Sequence, residues 1–430
     1  MLKIINTKDS VAEEKLQQIL NRSSFDNEGQ MEAVQNIWDD VKDNGDEAIF
    51  KYTAKFDGAE LDENTLEVQE EEIKAAYEKV DDDFLAAIET SIANVREFHQ
   101  KQLREDWMYI KEDGVILGQK FSALKRVGLY VPGGRAAYPS SVVMNGVPAQ
   151  VAGVEEIIMV SPPAADGSMN PYTLVAAAEV GVDTIYKVGG AQAVAGLSLG
   201  TATMKQVDKI VGPGNIYVTL AKKLAFGYVD IDMLAGPSEI LVLADETANP
   251  RYVAADMLSQ AEHDPMASSV LVTTSQEIAR EVKEELQEQL VELSRAEIAT
   301  EALENYGALI VAHDLEEAIS ITNQFAPEHL EVKVDSPFSI LGKLRNAGAI
   351  FLGEYAAEPI GDYIAGPNHV LPTGGSAKFY SPLNIDDFIK KSSVISYSKE
   401  GLEKVKDDAI KIAEVEGLDA HANSVKVRFE

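Results

Sequence analysis

The chain has 430 residues, 45% hydrophobic and 25% charged, the make-up of an ordinary globular protein too long for a single compact core. It contains no cysteine, which excludes disulfides, thiolate metal sites and a cysteine nucleophile, and its 38 basic against 71 acidic residues leave a formal net charge of −33, which opposes nucleic-acid binding. No apolar run is long enough to span a bilayer, and residues 1–9 lack the basic-then-apolar order of a signal peptide, so a cytoplasmic protein without a membrane partner is expected.

Residues 9–105 read as helices. Ser10 opens an amphipathic segment through Leu20, residues 27–56 carry apolar side chains at helical spacing, and residues 70–103 combine dense charge with Ala, Ile, Leu and Phe three and four apart. His99, on a helix face, is read as structural. From Val127 the texture changes to short apolar runs ending in glycine or proline, at 127–131, 157–160, 185–188 and 209–211, with helical segments between them. A second series follows at 239–243, 269–273, 308–311, 329–334 and 349–352. Strand, turn and helix repeated in this way predict an α/β fold with two mostly parallel sheets, and ligands in the crevice at the strand C-terminal ends. Beyond Ser381 the pattern predicts a helix at 385–391, a strand at 394–397 and a helix at 399–414, a tail that packs elsewhere, such as on a second subunit.

Glycine concentrates between these elements, in Tyr130-Val-Pro-Gly-Gly-Arg, Val188-Gly-Gly-Ala-Gln192, Val211-Gly-Pro-Gly-Asn215 and Leu234-Ala-Gly-Pro-Ser238. Small residues there let backbone N–H groups approach a phosphate or dinucleotide, although plain tight turns use them too. His313 precedes a charged helix start and is read as structural, whereas His263, His329, His369 and His421 stand in polar contexts rich in Gly, Pro or carboxylate. Gln260 and His263, three apart at the end of a helix predicted over 249–262, can converge on one metal ion; a capping histidine is the alternative. With no cysteine, such a site must use imidazole and oxygen ligands, to which Asp362 can add a carboxylate. Glu328 and His329 then form a candidate acid/base pair beside the metal.

Those loops, together with Ile231-Asp-Met-Leu-Ala-Gly-Pro-Ser-Glu, Gln260-Ala-Glu-His-Asp-Pro, Ala326-Pro-Glu-His-Leu-Glu, Gly361-Asp-Tyr-Ile-Ala-Gly-Pro-Asn-His-Val-Leu-Pro-Thr and Glu416-Gly-Leu-Asp-Ala-His, resemble the histidinol dehydrogenase family from about residue 30 onward. The resemblance implies oxidation of L-histidinol to L-histidine, the last steps of histidine biosynthesis, with two NAD+ and one zinc ion per site in a homodimer. It implies Gln260, His263, Asp362 and His421 as zinc ligands, Glu328 and His329 as acid/base residues, and Tyr130, Gln192 and Asn215 as NAD+ contacts. Ser238 and Glu416 join His329 and the metal residues in holding substrate. The implied fold is two incomplete Rossmann-like domains plus terminal segments: residues 1–26 as an N-terminal tail segment, 27–126 with 239–380 as the first domain, 127–238 as the second, NAD-binding domain, and 381–430 as a tail that carries Glu416 and His421 to the partner subunit.

Taking a primary alcohol to a carboxylate removes four electrons, so one site must run two hydride transfers with an aldehyde held between them. Since no cysteine thiohemiacetal can form, the hydrated aldehyde is the remaining simple route, with Glu328 activating the water and His329 taking the alcohol proton. Three readings stay open beside this one: a family member acting on another amino alcohol, a zinc hydrolase with the same ligand types, and a non-catalytic metal- or metabolite-binding protein.

Overall fold

The computed structural model describes residues 2–8, 11–22, 28–133 and 137–430. Ser10, Asn27, Gly134 and Arg135, which the sequence analysis singled out, lie outside the described residues. The chain divides into two compact units, Met1–Gln102 with Leu124–Phe388, and Leu103–Ala123 with Ile389–Glu430.

The first unit is built on two parallel sheets. Its strands are β1 (Ile4–Asn6), then, after the second unit's β2 (Trp107–Ile110) and β3 (Ile116–Ala123), β4 (Arg126–Tyr130), β5 (Glu156–Ser161), β6 (Thr184–Lys187), β7 (Lys209–Val211), β8 (Asp230–Ile231), β9 (Glu239–Ala244), β10 (Ser268–Thr273), β11 (Ala308–Val311), β12 (His329–Lys333) and β13 (Ala349–Leu352). One sheet has the order β6-β5-β4-β7-β8 and the other β1-β11-β10-β9-β12-β13, every pair parallel. Their strands are apolar on both faces because helices cover both: Ile240 and Val242 enter one core, Leu241 and Leu243 the opposite one. Helices Pro171–Val180 and Pro250–Ala261 start where an asparagine side chain, Asn170 or Asn249, caps the first N–H groups and proline occupies the first turn.

The N-terminal helices are positioned differently from the expected division, which grouped residues 27–126 with the later strand series. Val34, Ile37, Trp38 and Val41 of Glu28–Asn44 and Ile88, Ile92 and Val95 of Asp82–Gln100 pack on the two faces of the β4-containing sheet. Only helix Val11–Asn21, through Leu16 and Ile19, and edge strand β1 join the other sheet.

Each sheet reverses strand order once, between β4 and β7 and between β9 and β12. At the first reversal the glycine loops follow the strand C-termini, as expected. At the second, Glu239 and His329 are the first residues of their strands, so the polar cluster sits at the N-terminal ends, contrary to the sequence expectation. The cause is connectivity: the short linker 232–238 leaves the C-terminal end of β8 and enters β9, joining that edge of one sheet to the opposite edge of the next.

Buried charge bolts the loop after β7. Lys222 pairs with Asp232, both shielded from solvent; the Lys222 ammonium also donates to the Gly212 carbonyl at 2.9 Å, and Asp232 accepts from the Gly212 N–H at 2.8 Å. Gly212 has φ +112°, and a Cβ there would lie 2.2 Å from the Tyr130 carbonyl oxygen.

The second unit is an antiparallel sheet, β14 (Ile389–Ser396) pairing with β3 and β3 with β2, followed by helices Lys399–Glu403, Lys406–Val415 and Asp419–Lys426. The predicted helix at 385–391 is instead one 3-10 turn, Ile385–Asp387, capped by Asn384, after which the chain extends along β3. Cross-strand pairing overrides the local pattern here.

The substitution Gly212→Ala combines a positive φ with a backbone clash and is expected to destabilise the protein by about 2 kcal/mol or more, read as a lower midpoint in denaturant melts.

Candidate active site

The polar cluster of the first unit forms where β9 and β12 begin side by side. Helix Leu315–Phe325 ends on Ala326 in the left-handed region (φ 54°), the only non-glycine residue among those described with a positive φ. That turn delivers Glu328 and His329 to the sheet edge. The Glu328 carboxylate accepts a 2.9 Å hydrogen bond from the Glu239 N–H. Nδ1 of His329 lies 3.1 Å from the Glu239 carbonyl; since a carbonyl can only accept, Nδ1 carries a proton and Nε2 points the other way.

Nε2 of His329 is buried without a hydrogen-bond partner, 3.7 Å from Oδ1 of Asp362 and 3.9 Å from Oε1 of Glu358. Glu358 and Asp362 are one helical turn apart in Glu358–Tyr363, so both carboxylates face the same point. Ser259 donates to Glu358 at 3.1 Å, and the Glu358 N–H donates to Glu331 at 2.9 Å. Ligand atoms of His329, Glu358 and Asp362 all lie within 4.8 Å of one another, a grouping able to hold a metal ion. His369 places Nδ1 3.1 Å from the Asp362 carbonyl, and His263 is close enough to Asp362 and His329 to interact electrostatically with both.

Burial pushes Glu328 up to about 8, aided by the charge of Glu239 and against the attraction of His329. Burial and then the Asp362 charge raise Glu358 to about 7. Burial alone would lower His329, but Glu328, Asp362 and Glu358 outweigh it and hold the imidazolium up to about 10. Three carboxyl groups thus crowd one imidazole, an arrangement that asks for a further cation.

Of the four expected zinc ligands, Asp362 belongs to that grouping. Gln260, buried at the end of helix Pro250–Ala261 and next to Ser259, has its amide oxygen without a partner, as a metal-ligating oxygen requires. Imidazole, carboxylate and amide oxygen are donors that zinc accepts. Ser238 is half-buried in the linker before β9. Glu416 and His421 belong to the second unit, where both are exposed, Glu416 in the turn after helix Lys406–Val415 and His421 on helix Asp419–Lys426. Glu358 was not singled out from the sequence, although its spacing of four from Asp362 was a readable signal.

The nucleotide candidates flank the other reversal point. Tyr130 ends β4 and accepts from the Gly190 N–H at 3.0 Å; burial raises its hydroxyl to about 12. Gln192 is buried with neither amide atom hydrogen-bonded, so both are available to a ligand. A Cβ at Gly189 would come within 2.6 Å of Pro162, so the loop must be glycine to lie this close. Asn215 caps helix Ile216–Ala225, accepting from the N–H groups of Tyr217 and Val218. The orphaned Gln192 amide and the tightly packed glycines fit a dinucleotide.

The sequence profile of the histidinol dehydrogenase family matches residues 20–429. The chain belongs to the histidinol dehydrogenase family. It is 55% identical over 430 residues to the histidinol dehydrogenase of Clostridium acetobutylicum, covering 100% of this chain and 99% of the relative, and 58% identical over 411 residues to that of Caldanaerobacter subterraneus, covering 96% and 95%. The crystal structure of histidinol dehydrogenase from Elizabethkingia anophelis superposes with a TM-score of 0.94 at 38% identity, covering 100% of this chain and 98% of that one. Within this oxidoreductase family, the cluster around His329 is the candidate active site of the first unit. His99 and His313 are accounted for otherwise: the first is buried against the Val95 carbonyl at 2.7 Å, the second exposed beside Asp314.

The raised carboxyls make a stability prediction for the metal-free protein. Glu328 and Glu358 hold their protons more tightly folded than unfolded. The associated stability is therefore fully present below about pH 4.5 and is lost as the pH rises through about 7 for Glu358 and about 8 for Glu328. Glu328→Gln is expected to gain on the wild type by about 1 kcal/mol or more between about pH 5 and about pH 9 in metal-free denaturation experiments.

Proposed function

We propose that this protein oxidises L-histidinol through L-histidinaldehyde to L-histidine, with two NAD+ and one zinc ion per site. The observation that carries the reading is the unpartnered Nε2 of His329, facing Asp362 and Glu358 with the raised carboxyl of Glu328 alongside. Gln260, His263 and Asp362 would hold zinc from the first unit, and His421 would complete the set. Zinc there would supply positive charge that helps hold the substrate and offsets the local carboxylates. With its Nδ1 proton directed at the Glu239 carbonyl, His329 would accept the alcohol proton at its unpartnered Nε2 as the hydride leaves the carbinol carbon. Glu328, as carboxylate, then removes a proton from the water that adds to the aldehyde, and His329 assists loss of the second hydride from the hydrate. The alcohol step yields one NADH and one proton, and the aldehyde step, which consumes a water and leaves a carboxylate, yields one NADH and two protons.

Gln192, Tyr130 and Asn215 would contact NAD+, and Ser238 and Glu416 the substrate. A homodimer in which the second unit carries Glu416 and His421 to the partner's site agrees with the exposure of those two residues. It agrees also with the outward apolar run Trp107–Ile110, in which Ile110 is 73% exposed. Among the described residues no helix is long and apolar enough to cross a membrane, and a cytoplasmic location remains part of the proposal.

Turnover of L-histidinol with NAD+, followed as NADH, tests the assignment; turnover only of another amino alcohol would redirect it. In the same assay Glu328→Gln is expected to slow oxidation of the aldehyde by about 10²- to 10⁴-fold and the alcohol step less. Equal loss in both half-reactions would remove Glu328 from the water-activating role. Gln192→Ala is expected to raise the KM for NAD+ by about tenfold or more, through loss of hydrogen bonds from a buried amide, while the KM for histidinol holds.

A further inference from the structure

A buried ion pair lies directly behind the cluster. Arg22, the residue after helix Val11–Asn21, pairs with Glu239 at 3.0 Å, and neither side chain is accessible to solvent. The guanidinium is almost fully spent: Nε donates to the Met266 carbonyl at 3.0 Å, Nη1 to the Ile19 carbonyl at 2.7 Å, and Nη2 to the Pro237 carbonyl at 3.4 Å as well as to Glu239. Its face lies 5.9 Å from the ring centroid of Tyr306. Glu239 accepts in addition from the Gly374 N–H at 2.8 Å.

The partners are not scattered over the fold. Met266 closes the tight turn after Gln260 and His263, with its N–H on the Asp264 side chain at 2.8 Å. Pro237 is the immediate neighbour of Ser238. Glu239 holds the Glu328 carboxylate through its N–H and orients the His329 ring through its carbonyl. One guanidinium therefore touches the turn that follows Gln260 and His263 and the 237–239 segment that includes Ser238, and it reaches the Glu328–His329 pair through Glu239.

We infer that Arg22 is a positioning residue for the reaction, fixing the relative placement of Gln260 and His263, of Ser238, and of the Glu328–His329 pair through its bonds to Met266, Pro237 and Glu239. This rests on the function proposed above. A planar fork with donors at fixed angles can serve these separated acceptors at once; an ammonium cannot, so lysine keeps the charge and loses the geometry. The nucleotide candidates Tyr130, Gln192 and Asn215 lie on the other sheet and share none of these bonds.

The test compares wild type, Arg22→Lys and Glu239→Gln for melting temperature, kcat, the KM values for histidinol and NAD+, and zinc retained against a competing chelator. Folded variants are expected to lose about 10- to 100-fold in kcat/KM for histidinol and in zinc affinity, as when residues supporting a metal site are changed, with the KM for NAD+ nearly unchanged. A lower melting temperature with unchanged kinetics and zinc affinity assigns the pair to stability and overturns the inference, as does failure of both variants to fold. A uniform rise in both KM values overturns it too. Absence of histidinol turnover by the wild type would count against the proposed function instead, and zinc retention alone would then decide the role of Arg22.

Discussion

Excess negative charge in a place largely closed to water is the constraint on which the rest depends. Glu328, Glu358 and Asp362 surround a single imidazole at the paired starts of β9 and β12, and the strand and helix ends there leave the His329 and Gln260 donor atoms unsatisfied. A metal-free protein meets this by protonation, which is why Glu328 and Glu358 titrate high and His329 retains its proton. Groups so far from their ordinary ionisation are costly to a fold and useful to an enzyme. The same charge that is costly to the fold is what would bind a cation.

The proposed reaction would draw on both reversal points. The nucleotide candidates stand at the C-terminal ends of β4 and β6 and at the loop after β7, where glycines admit close approach and the Lys222–Asp232 pair holds the loop rigid. The proton-transfer pair stands at the N-terminal ends of the next sheet, and linker 232–238, with Ser238 in it, joins the two edges.

Much of this was legible in the sequence. Strands β7, β11 and β13 fall where the apolar runs put them, because short buried strands between glycine and proline carry a strong local signature. The motifs around His263, Glu328 and Asp362 were readable for the same reason: each is a turn or helix end with distinctive residues. Less legible were features set by distant contacts. Helices Glu28–Asn44 and Asp82–Gln100 are amphipathic wherever they dock, so their sequence does not say which sheet they cover. The β2–β3 hairpin and the turn at Ile385–Asp387 depend on pairing with β14, across more than 260 residues of chain. Glu358 escaped notice because its importance comes from burial against Ser259 and His329, not from its own motif.

The central claim is that one site performs both oxidations with the help of a bound metal. The most direct measurement is the yield of NADH per histidinol consumed, taken with the zinc-loaded protein and again after chelation. Two NADH per histidinol, with histidine as product and activity lost on chelation and restored by zinc, is the result predicted. One NADH with aldehyde accumulating, or full activity in the chelated protein, would contradict it.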